Sequence, residues 1–412
     1  MLDQTYHKLE NPLDVSETCL LAESAGAKVV GILTATRPKP DPATFIGKGK
    51  IEELKGLIAE NDVSVVIVNH AITPVQERNL EKELECRVLD RTRLILDIFA
   101  QRAQSHEGKL QVELAQLKHL STRLVRGWSH LERQKGGIGL RGPGETQLET
   151  DRRLISKRIR SLTKRLEGVE KQRKLRRRSR DKVPVPVVTL VGYTNAGKST
   201  LFNRLVDESI YVADQLFATL DPTMRRLKIK HFGDIVLSDT VGFIQDLPHT
   251  LVAAFHSTLE EVKNSSILLH IIDRSNPEYR SHIDEVNLVL KEIGAENIPL
   301  IHVYNKIDLI DEKPAVVNDE QGRAVFLSAQ KNWGLDLLNE TLHDLLIKDH
   351  GIYDLSLDVS QERLRSRIRD RCEVISETFD DTGTAQLRLQ LSPKDLGWLQ
   401  KKDGLVLHQV ST

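Results

Sequence analysis

Residues 192–199, Gly-Tyr-Thr-Asn-Ala-Gly-Lys-Ser, place the strongest constraint on what this chain can fold into. They match the phosphate-loop pattern G-x-x-x-x-G-K-[ST], which requires a strand before it and a helix after it. An apolar run over residues 185–191 supplies the strand, and a helical pattern begins near Lys198. The glycines let backbone N–H groups converge on a phosphate, and the helix N-terminus adds positive potential. The sequence therefore predicts a phosphate-binding loop.

Two side chains of this loop have predicted chemical roles. Lys198 is expected to reach the β- and γ-phosphates of a nucleotide, and the Ser199 hydroxyl is expected to coordinate Mg²⁺, the predicted cofactor. The predicted nucleotide contacts in the loop are Gly192, Tyr193, Thr194, Asn195, Ala196, Gly197, Lys198, Ser199 and Thr200.

A base-reading motif follows the apolar run over residues 299–304. The Asp308 carboxylate can only accept hydrogen bonds, and guanine offers two adjacent donors that adenine lacks. The pattern N-K-x-D is weak alone, but it is strong downstream of a phosphate loop. The predicted guanine contacts are Asn305, Lys306, Ile307 and Asp308, with Ser328, Ala329 and Gln330 in a third loop.

Two further segments are predicted to sense the γ-phosphate. Asp239 follows a short strand and would hold Mg²⁺ indirectly, while the Gly242 N–H would contact the γ-phosphate. Thr219 is the predicted second Mg²⁺ hydroxyl, and Thr223 is the alternative. The contacts predicted here are Phe217, Ala218, Thr219, Leu220, Asp221, Asp239, Thr240, Val241 and Gly242. The predicted catalytic residues are Lys198, Thr219 and Gly242.

Phe243 departs from the pattern of small signalling GTPases. Those proteins carry a glutamine at this position, and it orients the attacking water. A phenylalanine ring cannot hydrogen-bond water, so another residue or a partner must orient it. We therefore expect slow intrinsic hydrolysis, which a partner accelerates by about 10³- to 10⁵-fold.

The charge of the chain is balanced overall but uneven along its length. Its 412 residues, enough for two to four domains, contain 59 Lys and Arg against 59 Asp and Glu. Residues 152–182 alone hold fifteen basic against three acidic residues. The three cysteines lack metal-ligand spacing, which suits a reducing compartment. Residues 1–8 lack the apolar core that is typical of a signal peptide, and no apolar run approaches 18 residues. We expect a cytoplasmic protein without a membrane span.

Residues 1–104 alternate between helix and strand patterns. A capping box at Thr73 and Gln76, with Pro74 between them, predicts the start of one helix. Such alternation predicts a small α/β domain with a parallel sheet. The predicted helices are 14–25, 50–60 and 74–85, and the predicted strands are 28–33, 63–68 and 87–89.

Residues 105–182 show two coiled-coil seams, which predict an antiparallel helical hairpin. The first seam is Leu110, Leu114, Leu117, Ser121, Leu124, Trp128 and Leu131, and the second is Ile155, Ile159, Leu162, Leu166 and Val169. The Gly-rich segment 135–144 between them is predicted to be a non-helical tip. A first arm of about 22 residues would be about 33 Å long.

The basic second arm beside an Arg- and Gly-bearing tip predicts contact with structured RNA, where phosphate contacts dominate affinity. A solvated charged face is the alternative interpretation. The RNA-contact candidates are Lys135, Gly136, Gly137, Gly139, Arg141, Gly142, Gly144, Arg152 and Arg153.

Residues 139–153, Gly-Leu-Arg-Gly-Pro-Gly-Glu-Thr-Gln-Leu-Glu-Thr-Asp-Arg-Arg, resemble the signature of the HflX family of GTPases. Residues 41–50, 94–103 and 217–223 are also similar to that family, and the resemblance covers residues 11–345. It implies a cytoplasmic bacterial GTPase that binds the large ribosomal subunit and splits stalled or idle ribosomes under stress. An apolar residue at the position of Phe243 agrees with the family.

The resemblance also links the N-terminal region to adenine nucleotides and RNA remodelling, for which these residues carry no independent motif. The implied partners are GTP and GDP, the large (50S) subunit and its ribosomal RNA, and ATP at the N-terminal region, and the protein is expected to be a monomer. The alternatives are a GTP-gated factor for large-subunit assembly or silencing, and an RNA helicase driven by the N-terminal domain.

The predicted fold class is α/β, in four parts. These are an N-terminal α/β domain (1–104), a basic helical hairpin (105–182), a P-loop GTPase domain with a mostly parallel sheet and helices on both faces (183–349), and a small α+β C-terminal domain (350–412). In the last part, 354–359 and 384–391 are predicted strands and 360–371 a helix. We expect few contacts to cross the boundary between the hairpin and the GTPase domain.

Overall fold

The structure is a computed structural model. It describes residues 2–5, 15–127, 143–180, 185–206, 216–217, 219–229, 232–245, 256–319, 322–347, 351–380, 383–391, 393–400, 402, 405 and 407–410. Over these ranges, no helix has both the length and the apolar character needed to cross a membrane.

The N-terminal elements form a parallel sheet of order β2-β1-β3-β4. They are β1 (Leu2–Thr5), α1 (Val15–Ser24), β2 (Leu33–Thr36), α2 (Lys48–Asn61), β3 (Val65–Val68), α3 (Pro74–Leu84), β4 (Arg87–Asp90) and α4 (Arg91–Arg102). The predicted capping box is confirmed, because the Thr73 and Gln76 side chains each bond the other's backbone N–H. Pro74 lies in the first turn of α3, where a missing N–H has no cost.

The strand predicted over residues 28–33 is wrong. Strand β2 begins at Leu33, which pairs with Leu2 at the start of β1. Residues 27–32 form no ladder, and Val30 and Ile32 are each 48% exposed. A strand requires a partner for its backbone groups. Here the partner is the four-residue β1, which no sequence pattern indicates.

Helices α5 (His106–Gly127) and α6 (Pro143–Arg180) form the predicted antiparallel hairpin. The inner parts of both seams meet in a buried cluster of Leu110, Leu114, Leu162 and Leu166, against which Leu117 and Ile159 pack. An ion pair of 2.7 Å between Arg158 and Glu113 joins the exposed sides of the arms. The outer seam positions Leu124, Trp128 and Leu131 have side chains outside the described residues.

The non-helical segment predicted to extend to Gly144 is too long by two residues. Helix α6 begins at Pro143 and includes Gly144 in its first turn. Proline is well suited to the first helical position because its fixed φ is helical and its missing N–H has no partner there. Residues 135–142 of the predicted tip lie outside the described part of the chain.

The third unit is a sheet of order β10-β11-β9-β8-β5-β7-β6 with helices on both faces. It is parallel except for its two edge strands, β6 and β10. Its elements are β5 (Val187–Gly192), α7 (Lys198–Val206), β6 (Thr223–Ile229), β7 (Gly233–Asp239), α8 (His256–Lys263), β8 (Ile267–Asp273), α9 (Tyr279–Glu292), β9 (Leu300–Asn305), β10 (Ala315–Asp319), β11 (Gly322–Phe326) and α10 (Leu335–Leu346).

Its central strands are apolar on both sides, as expected for a sheet covered on both faces. Helices α7 and α10 cover one face, and α8 and α9 cover the other. The second face continues into the N-terminal domain, because its buried cluster includes Phe99 of α4 and Val112 and Ala115 of α5. The expectation of few contacts across this boundary is therefore wrong: α5 uses one side for the hairpin seam and another for this shared core.

The C-terminal unit is a four-stranded antiparallel sheet of order β13-β14-β12-β15. It contains β12 (Gly351–Leu357), α11 (Glu362–Arg371), β13 (Glu373–Phe379), β14 (Ala385–Leu391), α12 (Pro393–Gln400) and β15 (Leu407–Val410). Both helices pack on one face of the sheet, through Ile368 of α11 and Leu399 of α12. This βαββαβ arrangement is ferredoxin-like and agrees with the predicted α+β class.

Candidate functional site

A cavity of about 440 Å³ opens where the loops after β5, β7 and β9 meet. In α/β sheets, ligands bind at this carboxyl edge of the parallel strands. The cavity is lined by Thr194, Asn195, Gly197, Lys198, Ser199, Thr200, Phe217, Thr219, Thr240, Gly242, Asn305, Lys306, Asp308, Leu309, Ala329 and Gln330. The structure thus brings into one site the predicted phosphate loop, the base-reading loops and residues of the two segments predicted to sense the γ-phosphate. These two segments are called the first switch, around Thr219, and the second switch, 239–242.

Close packing against neighbouring atoms and positive φ angles explain two glycines of the phosphate loop. Gly192 has a φ of +148°, and a Cβ there would collide with the carbonyl oxygen of Ile271 on β8. Gly197 has a φ of +93°, and a Cβ there would collide with the Asn305 side chain. Only glycine adopts such φ values without strain, so this loop conformation depends on both residues.

Lys198 lies at the bottom of the cavity. Its ammonium group donates to the carbonyl oxygens of Gly192 (3.1 Å) and Tyr193 (2.6 Å). Burial lowers the pKa of Lys198 to about 8, although nearby Asp239 favours the charged form. A buried cation without a full set of anionic partners is costly. The position is therefore prepared for an anion such as a nucleotide phosphate.

Three oxygen-bearing side chains converge beside this lysine. The Ser199 hydroxyl lies 2.9 Å from that of Thr219, and the two donate to Asp239 Oδ2 over 2.7 and 3.0 Å respectively. Asp239 Oδ1 is buried without a hydrogen-bond partner among the described residues, and burial raises the pKa of this carboxyl. A hard oxygen-seeking cation fits this arrangement. Thr219 lies in the cavity; the alternative, Thr223, lies in β6 opposite Asp239 in the ladder.

Asn305 joins the phosphate loop to the third loop. Its amide donates to the Ala196 carbonyl (2.9 Å) and accepts from the Ala329 N–H (2.9 Å). It therefore positions the walls of the cavity. Beside it, the Lys306 ammonium forms an ion pair of 2.6 Å with Asp273.

The base-reading position lies in a short 3₁₀ turn, Ile307–Leu309, which directly follows Lys306. Asp308 lines the cavity there, and so does Leu309, which was not among the predicted contacts. Leucine at this position belongs to no motif, so only the folded turn reveals it.

Phe243 is turned away from the cavity. Its side chain is 1% exposed and belongs to the apolar cluster shared with the N-terminal domain. Its backbone pairs with the phosphate loop, because its N–H donates to Gly192 and its carbonyl accepts from Thr194. Phe243, which directly follows Gly242, therefore joins the phosphate loop to the segment 239–242, and its buried ring offers no hydrogen-bonding group to a water molecule.

Several predicted contacts do not line the cavity. The Asp239 carboxylate does not line the cavity but accepts hydrogen bonds from Ser199 and Thr219, which do. The Asp221 carboxylate instead accepts from the Ser105 N–H at the start of α5. The others that do not line the cavity are Gly192, Tyr193, Ala196, Leu220, Val241, Ile307 and Ser328. Ala218 lies outside the described residues.

The three predicted RNA contacts that the structure describes do not line this cavity. Arg152 and Arg153 are exposed on α6, and Gly144 lies in the first turn of that helix. Lys135, Gly136, Gly137, Gly139, Arg141 and Gly142 lie outside the described residues.

A buried polar network behind the phosphate loop was not predicted. The Tyr193 hydroxyl donates to Glu17 of α1 and accepts from the Gln245 N–H (2.6 Å). Glu17 pairs with Arg91 of α4, which also donates to the Gln245 carbonyl (3.1 Å). The Tyr193 ring stacks on His282 of α9 at 3.8 Å between centroids. These partners are far apart in sequence and belong to no motif.

Three family models match consecutive parts of the chain. Residues 13–100 match the model described as GTP-binding GTPase N-terminal, and residues 102–180 match GTP-binding GTPase Middle Region. Residues 187–306 match the model described as 50S ribosome-binding GTPase.

Curated relatives match nearly the whole chain. GTPase HflX of Escherichia coli (strain K12) is 51% identical, over 95% of this chain and 92% of the relative. GTPase HflX of Magnetococcus marinus is 46% identical, over 94% and 90%. A solved GTP-binding protein of Sulfolobus solfataricus in complex with GDP is 26% identical, with 84% of this chain and 98% of that chain covered and a TM-score of 0.45. This chain belongs to the HflX family of GTPases and hydrolyses GTP.

Proposed function

We propose that the protein binds the 50S ribosomal subunit and uses its GTP cycle to dissociate ribosomes under stress. One observation carries the proposal: the switch residues that line the nucleotide cavity pack on the same N-terminal unit that carries the basic hairpin. The match of residues 187–306 to a 50S ribosome-binding GTPase model supports the choice of partner. Ribosome binding would place the protein in the cytoplasm.

The cavity supports a specific set of contacts with GTP. Lys198 would leave its two carbonyl partners to bind the β- and γ-phosphates, and the Gly242 N–H would bind the γ-phosphate. A Cβ on Gly242 would lie only 2.9 Å from the Lys198 ammonium, so a glycine leaves room for that phosphate. Asp308 would accept from the two donors of guanine.

The Ser199 and Thr219 hydroxyls would hold Mg²⁺ directly, and Asp239 would bind it indirectly. Bound Mg²⁺ would neutralise charge that develops on the phosphate oxygens. The orphaned Oδ1 of Asp239 and the raised pKa of its carboxyl support a cation here, because a cation would favour the ionised form.

The attacking water requires a partner group, because Phe243 is buried in apolar surroundings. We infer that the ribosome supplies or organises that group and accelerates hydrolysis. Groups supplied by a partner are worth about 10³–10⁵ in rate in other GTPases.

The hairpin is the proposed RNA contact. Helix α6 carries an exposed basic surface, which consists of Arg152, Arg153, Lys157, Arg160, Lys164 and Arg165. Arginine and lysine contacts with phosphates weaken as salt rises because counterions are released on binding. Binding to ribosomal RNA through α6 should therefore be steeply salt-dependent.

Light scattering by 70S ribosomes tests the function, with the protein loaded with GTP, a non-hydrolysable GTP analogue or GDP. We expect scattering to fall with GTP or its analogue and to stay constant with GDP. GTP turnover should rise on adding 50S subunits. Constant scattering with all three nucleotides, together with tight 50S binding, would instead indicate the GTP-gated assembly or silencing factor. Adenine-nucleotide binding and helicase activity of the N-terminal region stay predictions.

A further inference from the structure

The first switch, around Thr219, contacts the N-terminal domain and the hairpin at several described residues. The Leu216 N–H donates to the Ser24 hydroxyl of α1 over 3.0 Å. The Phe217 ring packs edge-on against Phe99 of α4, with 4.6 Å between centroids. Leu220 is buried in the same apolar cluster. Thr219, between these anchors, faces the nucleotide cavity.

The last contact of the switch is with the root of the hairpin. The Asp221 carboxylate accepts from the backbone N–H groups of Gln104 (2.9 Å) and Ser105 (2.7 Å), and from the Ser105 hydroxyl. The same hydroxyl accepts from the Gly108 N–H over 2.8 Å, so Ser105 caps helix α5. An acidic group at this helix end is also favoured by the helix dipole.

Gly108 shows how closely the two parts approach. A Cβ on this residue would collide with the Asp221 carboxylate. Gly108 lies in the first turn of a helix, where alanine is intrinsically preferred to glycine. The close approach of Asp221 accounts for a glycine at this position.

We propose that Asp221 is a positioning residue that couples the first switch to the hairpin. While its carboxylate binds the N-terminus of α5, Thr219 is held two residues away, beside Ser199 and Asp239. Opening of the switch after hydrolysis releases the helix end. Coupling between two sites is reciprocal, so a hairpin held in place by RNA favours the closed switch. That consequence rests on the proposed function, whereas the contact itself can be tested in the isolated protein.

The kinetic test compares Asp221→Ala with wild type, and Asp234→Asn is the matched control. Asp234 is an exposed aspartate of the same domain, 3.9 Å from Arg226 on the sheet edge. We expect Asp221→Ala to lower kcat by roughly 5- to 150-fold, the range of typical coupling energies, and to leave GDP affinity unchanged. Asp221→Asn, which keeps an acceptor for the two N–H groups, should retain part of the rate. A wild-type kcat in Asp221→Ala would overturn the proposal.

Gly108→Ala provides the second test, because this residue lines no part of the nucleotide cavity. An alanine favours the helix, so the variant should fold. It should lower kcat in the wild-type background and have no effect in the Asp221→Ala background, where the colliding carboxylate is gone. Equal effects in both backgrounds would show that Gly108 acts without Asp221 and would contradict the proposal.

Hydrogen exchange gives a readout that does not depend on activity. In wild type, the amides of Gln104 and Ser105 should exchange more slowly with a non-hydrolysable GTP analogue than with GDP. In Asp221→Ala this difference should disappear, and in Asp234→Asn it should remain. If these amides were equally protected in both nucleotide states of the wild type, the proposed coupling would be wrong. That result would not bear on ribosome splitting, which light scattering tests separately.

Discussion

The hydroxyl of Tyr193 in the phosphate loop donates a hydrogen bond to the buried carboxylate of Glu17 in the first helix. Glu17 is 6% exposed, and its partner Arg91 is 3% exposed. Because Arg91 also binds the backbone of Gln245, one network joins α1, α4, the phosphate loop and the segment after Gly242. The N-terminal domain therefore supports the nucleotide site from behind.

Tyr193→Phe tests this support. The substitution removes a donor to the buried Glu17 carboxylate and an acceptor for the Gln245 N–H, and loss of a hydrogen-bond partner by a buried group costs about 1–3 kcal/mol. We expect thermal unfolding of Tyr193→Phe to begin at a lower temperature than that of wild type. Tyr279→Phe is the control and should have little effect, because the hydrogen bond that the Tyr279 hydroxyl accepts from Arg280 is exposed. Identical melting curves for Tyr193→Phe and wild type would show that the network does not stabilise the fold.

Asp308→Asn tests the base specificity. An amide can donate to a carbonyl, so xanthine nucleotides, which carry a 2-oxo group, should bind comparatively well. GTP affinity should fall by a factor on the order of 10²–10⁴, because a site built around hydrogen bonds rejects a mismatched partner. Fluorescent-nucleotide titration measures both affinities. Unchanged GTP affinity would mean that Asp308 does not read the base.

Lys198→Ala and Ser199→Ala test the phosphate and Mg²⁺ contacts. Loss of a charge-assisted bond from Lys198 should weaken GTP binding by about 10- to 100-fold. Ser199→Ala should reduce the Mg²⁺ dependence of binding. Circular dichroism should show that the hairpin stays folded, because its buried leucines lie elsewhere. If these variants bind ribosomes as tightly as wild type in the presence of a GTP analogue, ribosome binding does not depend on the nucleotide switch.

His270 on β8 makes stability depend on pH. It is buried, its ring lies 5.5 Å from that of His302, and burial lowers its pKa to about 3. The unfolded chain takes up a proton at this histidine below about pH 6.5, which the folded protein does not do. The protein should therefore become less stable as pH drops from about 6.5 toward 3: the free energy of unfolding should decrease by up to roughly 1.4 kcal/mol per pH unit.

Urea unfolding at about pH 7 and about pH 5 measures this slope. His270→Leu should make the slope shallower, because the variant removes the group that protonates only in the unfolded chain. His408→Gln, an exposed position on β15, is the control. An equal slope in His270→Leu and wild type would contradict the assignment.

The sequence predicted local features well because their causes are local. The phosphate loop has a fixed spacing of glycines, lysine and serine, and the hairpin has a leucine repeat; both patterns are visible in short windows. Long-range contacts were not predictable. Nothing near Asp221 indicates a bond to Ser105, 116 residues away, and the seam of α5 does not reveal that Val112 and Ala115 pack on the GTPase domain.

Short edge elements were also missed, for a related reason. Strand β1 has four residues, too few for a periodic signal, and its pairing decides where β2 begins. The apolar residues Val30 and Ile32 resemble a strand in sequence, but they lack a ladder partner and are half exposed. Pairing is a property of the folded sheet.

Replacement of residues 135–142 by a short neutral turn tests the central claim, that the hairpin acts on ribosomes. The substitution preserves the seam around Leu110 and Leu166 and the contact of Asp221 with the root of α5. GTP affinity and basal hydrolysis of the free protein should therefore match wild type, and the basic surface of α6 should retain weak, salt-sensitive binding. The decisive measurement is 70S light scattering with GTP: we predict that the variant no longer separates the subunits, and separation at the wild-type rate would contradict the account.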